Sequence, residues 1–210
     1  MSTKREPSLI HLNGNILCAI DCETTGLDPN VHEIVEVCFL PLNSNLEPRR
    51  DIVPFDIQIR PENLDIIDFD AFKINKIDFY KLCQTAMDKH QAADLFESWA
   101  NKLNLAHSKR ISPLAHNWLF DAQFIKSWLG PKTYEFYIDG RYRDTLCASL
   151  YENDKADRRA ECVPFSKVNL TWLATTLKIE HERAHTALGD CLVTAQVYRD
   201  MVRGHSPQRI

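Results

Sequence analysis

A chain of 210 residues, 44% of them hydrophobic and ten of them phenylalanine, can bury one sizeable core, and its length does not demand a second domain. A formal charge of −4 gives no basic field of the kind that advertises a nucleic-acid surface, yet it does not exclude one, because acids that hold metal ions are themselves negative. No apolar run reaches the roughly 18 residues of a membrane span, and the polar start Met1–Pro7 lacks a signal-peptide core.

Residues 1–13 are polar and read as a mobile lead-in, followed by one domain over 14–203 and a tail over 204–210. Ile16–Asp21 is a first strand and His32–Leu40 a second, with Ile34, Glu36 and Cys38 on one face and Val35, Val37 and Phe39 on the other. A third strand lies within Asp51–Arg60, where Pro54 argues for an edge or an early break. Asp70–Lys81 begins a short helix. Gln91–Leu103 repeats apolar residues at helical spacing. Ile111–Ala115 is a short buried strand, and Phe120–Leu129 a helix that stops at Gly130-Pro131. Tyr142–Leu150 is ambiguous, and Tyr151–Lys167 is so charged that it reads as an exposed excursion. Asn169–Leu177 and Ala187–Val202 are helices, with Asn169 or Thr171 capping the first and Thr186 the second. Strands first, then alternating strands and helices, predict an α/β fold with a mixed sheet flanked by helices. Seven cysteines, odd in number and without a Cys-x-x-Cys pair, read as reduced thiols of a cytoplasmic protein.

Three clusters carry chemistry. Asp21 and Glu23 end the first strand and share a face, about 6–7 Å apart at the usual rise per residue. Two acids so placed repel each other unless a cation lies between them; the alternative is a solvated turn through Thr24-Thr25-Gly26-Leu27. Asp121 follows the buried run Ile111–Ala115 within His116-Asn117-Trp118-Leu119-Phe120-Asp121 and could equally cap a helix, where the dipole favours an acid. His185 and Asp190 are five residues apart. On one helix they would diverge by about 140°, so they converge only if His185 lies on a loop ahead of the helix. His185 is either a proton acceptor of suitable pKa or an exposed loop histidine.

Asp21-x-Glu23-Thr24-Thr25-Gly26-Leu27, Asn117-x-x-Phe120-Asp121 and His185-x-x-x-x-Asp190, in that order, resemble the three motifs of the DEDD exonuclease superfamily in its His-containing subclass. The likeness spans residues 16–202, and the final helix resembles that of the proofreading subunit of bacterial replicative polymerase. The resemblance implies a ribonuclease H-like mixed sheet and a 3′→5′ exonuclease that uses two divalent cations, Mg²⁺ or Mn²⁺, to release 5′-mononucleotides. It implies that Asp21 bridges the two ions, that Glu23 and Asp190 complete one site, that Asp121 serves the other, and that His185 takes the proton from the attacking water. More weakly, it assigns Thr24, Thr25, Gly26, Leu27, His116, Asn117 and Phe120 to the 3′-terminal nucleotide. The partner would be nucleic acid, with single-stranded or frayed DNA favoured and RNA the alternative, in association with a DNA polymerase or replication complex or alone. A non-catalytic nucleic-acid- or polymerase-binding module is the reading from another class. The sequence departs from many relatives at Asn75, where their pattern has His.

Overall fold

A computed structural model of the protein describes residues 9–68, 77–103, 105 and 108–204. The expected helix start at Asp70 and the Asn75 departure lie outside the described residues. Five strands form one sheet in the order β3-β2-β1-β4-β5, with β1 Ile16–Thr24, β2 Ile34–Pro41, β3 Phe55–Gln58, β4 Ile111–Ala115 and β5 Arg143–Asp144. The first three strands are an antiparallel meander, while β4 and β5 run parallel to β1. This is the mixed sheet that the strand-then-helix pattern predicts. The third strand is shorter than its apolar run, because Pro54, which cannot donate to the ladder, stands immediately before it.

Among the described residues the helices are α1 Phe79–Thr85, α2 Lys89–Lys102, α3 Trp118–Leu129, α4 Pro131–Tyr137, α5 Thr145–Arg158, α6 Leu170–Thr176 and α7 Ala187–Val202. Two of them differ from the sequence reading. Gly130 stops α3 with a left-handed φ of 76°, but Pro131 then opens α4, since its missing N–H costs nothing in a first helical turn. The charged stretch after Tyr151 is helical as far as Arg158. Its charges pair along the helix, Lys155 with Glu152 at 2.8 Å, and the face it buries is made of small residues, Thr145, Ser149 and Ala156. Beyond it, Phe165 is buried and held by a reciprocal pair of hydrogen bonds with the Asn153 side chain. Ahead of β1, Ile10–Leu12 form a 3-10 turn, and Leu12 is buried.

Alternation along β1 sorts the core into two layers. The even residues Ile16, Cys18, Ile20 and Cys22 pack against α2 and α3 in a cluster that includes Phe39, Phe96, Phe124 and Ile125. The odd residues Leu17 and Ala19 pack against Ala187, Cys191 and Ala195 of α7. On the outer side of α7, α6 adds Leu170, Leu173 and Ala174 against Val193 and Val197.

One buried carboxylate joins the two ends that matter for the site. Asp144, at the end of β5, accepts from the backbone N–H groups of Leu146 (2.8 Å) and Cys147 at the start of α5. It also accepts from those of Asn117 (3.1 Å) and Trp118 (2.8 Å) at the start of α3. It thereby caps two helices and holds Asn117 in its left-handed conformation, φ 68°. Removing a cap costs about 1 kcal/mol per helix. Asp144→Ala should therefore lower the urea unfolding free energy by about 2 kcal/mol; a loss below about 0.5 kcal/mol would show that neither cap matters.

Candidate active site

The two-layer core decides which acid meets which. Asp21 and Glu23 are odd residues of β1, on the face that packs against α7, and Asp190 lies in the first turn of α7. Ligand atoms of Asp21, Glu23 and Asp190 all lie within 4.8 Å of one another. Opposite Glu23, across the strand pair, stands Glu36, and the register slips between Glu23 and Thr24. Such a bulge re-aims the end of a strand. Glu36 is itself buried; it accepts from the Ala187 N–H at 2.8 Å and from the Gln58 side chain at 3.1 Å, tying the start of α7 to β2.

Asp121 comes from the other layer. It sits one turn into α3, 3% exposed, and accepts from the Cys22 N–H at 3.0 Å and from the Cys22 thiol at 3.2 Å. The alternation that sends Asp21 and Glu23 to α7 sends Cys22 to α3, so Asp121 reaches the strand end through Cys22 and lies outside the tight group of three.

These carboxylates are crowded and desolvated. Burial, then the charges of Asp121, Asp190 and Glu23, raise the pKa of Asp21 well above its ordinary value. Burial, then Asp190, Glu36 and Asp121, raise that of Glu23 to about 8. Burial raises that of Asp121 to about 7, against the opposing hydrogen bonds from Cys22. Every charge that acts on Asp21 and Glu23 has their own sign. A set of oxygen donors at such spacing fits hard divalent cations, which take carboxylates and keep waters.

The loop before α7 places two histidines beside Asp190. Thr186 caps the helix through the Gly189 N–H, and a Cβ on Gly189 would stand 2.1 Å from the Arg183 carbonyl oxygen, so only glycine lets the loop close down on the helix. His185 has a left-handed backbone, φ 67°, and its N–H donates to Asp190 Oδ1 at 3.3 Å. Its ring makes no hydrogen bond with the four acids; it borders a cavity of about 270 Å³ with Glu36, Gln58, Asp78 and Lys81. The ring that does meet Asp190 belongs to His181, whose Nε2 is 2.6 Å from Oδ1. His181 is absent from the sequence reading, because nothing in a spacing of nine residues through a loop announces the contact. Nor does the sequence announce the contacts that Asp144 makes with the start of α3 or Glu36 with the start of α7.

The residues assigned to the terminal nucleotide stand in the turn after β1 and between the end of β4 and the first turn of α3. Thr24 and Thr25 are buried, and their hydroxyls serve the turn itself. Thr24 donates to the Gly26 carbonyl at 2.6 Å, and Thr25 Oγ1 accepts from the Glu33 N–H at 2.9 Å. Gly26 lies under the His32 ring, which a Cβ there would meet at 2.2 Å. Leu27 is 78% exposed at the turn's tip. Asn117 is exposed. Phe120 is partly buried, its ring 4.9 Å from that of Phe124. His116 pairs through Nδ1 with the Thr145 hydroxyl at 2.9 Å, and burial lowers its pKa.

A model of the exonuclease family, RNase T type, matches residues 18–198. Among curated proteins no match is found. Solved structures with the same ribonuclease H-like fold include exonuclease I of E. coli in a zinc-bound complex with single-stranded DNA (TM-score 0.70, 16% identity, covering 92% of this chain and 41% of that one). They also include the cell-death related nuclease CRN-4 (0.67, 16%, 92% and 65%). A third is a 3′-exonuclease solved for its 3′-end specific recognition of a histone mRNA stem-loop (0.67, 18%, 100% and 69%). The chain thus spans about two-fifths of the length of exonuclease I.

The raised acids set a pH dependence. A carboxyl that titrates near 4 in the unfolded chain and at about 7 (Asp121) or 8 (Glu23) in the fold gives stability that is fully present below pH 4. That stability is lost as the pH rises through the folded values. In EDTA, Tm should fall between about pH 4 and pH 8, and less steeply for Asp121→Asn. Parallel profiles for the two proteins would contradict the crowding.

Proposed function

Because the chain belongs to the exonuclease family, we propose that it is a 3′→5′ exonuclease that uses two divalent cations, Mg²⁺ or Mn²⁺, to release 5′-mononucleotides from nucleic-acid ends. The observation that carries this reading is the convergence of Asp21, Glu23 and Asp190 within 4.8 Å, with Asp121 delivered to the same strand end through Cys22. Asp21, Glu23 and Asp190 would hold one ion, and Asp21 with Asp121 the second. Bound there, the cations supply charge neutralisation and Lewis-acid polarisation for an in-line displacement at phosphorus.

The chain's own residues do the rest. β1, paired on both sides, holds Asp21 and Glu23 in place, and Asp144 fixes the start of the helix that bears Asp121. His185 would accept the proton of the attacking water; its own N–H already touches Asp190 Oδ1. Leu27 and Phe120 offer apolar surface to terminal bases, a contact that any base can make.

DNA is the favoured substrate, in keeping with the likeness to exonuclease I bound to single-stranded DNA. RNA is the second reading, favoured by the fit of the whole chain to the histone-mRNA 3′-exonuclease. Labelled single strands of each, offered with Mn²⁺, should be shortened from the 3′ end. His185→Ala should lose about 10²–10⁴-fold in kcat, and Asp21→Ala should lose essentially all activity. RNA-only cleavage would overturn the DNA assignment. An inert parent would leave the binding-module reading in its place, and variants that cleave as well as an active parent would overturn the mechanism.

A further inference from the structure

We infer that His181 is a positioning residue for Asp190, orienting that carboxylate toward the cation; the inference rests on the nuclease reading above. Nε2 of His181 lies 2.6 Å from Asp190 Oδ1, and the side chain is 9% exposed. At that distance the ring nitrogen donates. The same oxygen also receives the His185 N–H at 3.3 Å. With Oδ1 engaged by two donors, Oδ2 is the oxygen left to face Asp21 and Glu23. A metal-bound carboxylate whose second oxygen is hydrogen-bonded is held in one rotamer, and losing such a partner commonly weakens metal binding.

The segment that bears His181 is itself fixed. Ile179, two residues earlier, is buried among Leu173, Val193 and Val197, and its N–H donates to the Ala174 carbonyl at 2.8 Å. Two residues later, the Arg183 carbonyl rests against Gly189. A ring anchored on both sides and aimed at one carboxylate oxygen is built to orient it. The other ring nitrogen, Nδ1, is buried without a hydrogen-bond partner. Packing alone would not demand an imidazole at this place, since one of its two nitrogens is left unsatisfied.

Two substitutions separate orientation from packing. His181→Gln keeps a donor near the Nε2 position, and His181→Phe keeps the bulk without a donor. Mn²⁺ titrated into the metal-free proteins by calorimetry, with the fold checked by circular dichroism, should bind about 10–100-fold more weakly to His181→Phe and close to parental affinity to His181→Gln. The Mn²⁺ concentration for half-maximal nuclease rate should rise by the same factor in His181→Phe, while kcat at saturating Mn²⁺ is retained. Parental or tighter Mn²⁺ binding by folded His181→Phe would overturn the inference, because His181 would then be filler or a competitor for Asp190. So would tenfold weaker binding by folded His181→Gln. A parent that binds Mn²⁺ and degrades oligonucleotides while His181→Phe matches it would sink the role of His181 alone. A parent that binds no Mn²⁺ would sink the nuclease reading and this inference together.

Discussion

Repulsion among the carboxylates gathered at the C-terminal end of β1 is the constraint to which the rest of the structure answers. Asp21, Glu23 and Asp190 lie within 4.8 Å, and Asp121 adds its charge from the opposite layer. Nothing in the hydrophobic core requires this. A fold stabilises such a group only by holding each acid on an element anchored elsewhere, and that anchoring is visible at every one. β1 is paired on both sides. Asp144 pins the start of α3, Glu36 pins the start of α7, and Gly189 lets the preceding loop close onto that helix. The scaffold is rigid where the charges are worst, which is what a preorganised electrostatic site demands.

The strand's period of two explains why the acids approach from two directions. It sends Asp21 and Glu23 toward α7 and Cys22 toward α3, so the acid from α3 must engage the backbone and thiol of Cys22. The acid pair thereby faces α7, while Cys22 carries the contact to Asp121 of α3 on the other face of the sheet. The result is three donors close together and a fourth, Asp121, set apart beside Cys22.

Much of this was legible in the residues, for reasons that can be named. Ile111–Ala115 and Ala187–Val202 begin and end where the sequence says they should, because each is an apolar run bounded by polar or capping residues, Thr186 among them. The acids stood out because two carboxylates at the end of an apolar run conflict with stability unless something offsets them. The helix over 145–158 was hidden because its buried face is Thr145, Ser149 and Ala156 rather than large apolar side chains, so periodicity gave no signal. The contacts of His181, Asp144 and Glu36 were hidden because their partners lie across loops and layers. The sequence motif could name His185, but not its left-handed backbone, nor the neighbour whose ring meets Asp190.

The central claim is that the crowded acids form a cation site rather than a protonated cluster. Crystals soaked in Mn²⁺ test it most directly, through the anomalous scattering of the ion. The account predicts a strong peak at coordinating distance, about 2.0–2.2 Å, from oxygens of Asp21, Glu23 and Asp190, and a second peak beside Asp21 on the Asp121 side. Anomalous density confined to surface carboxylates, with the four acids hydrogen-bonded to one another, would contradict it.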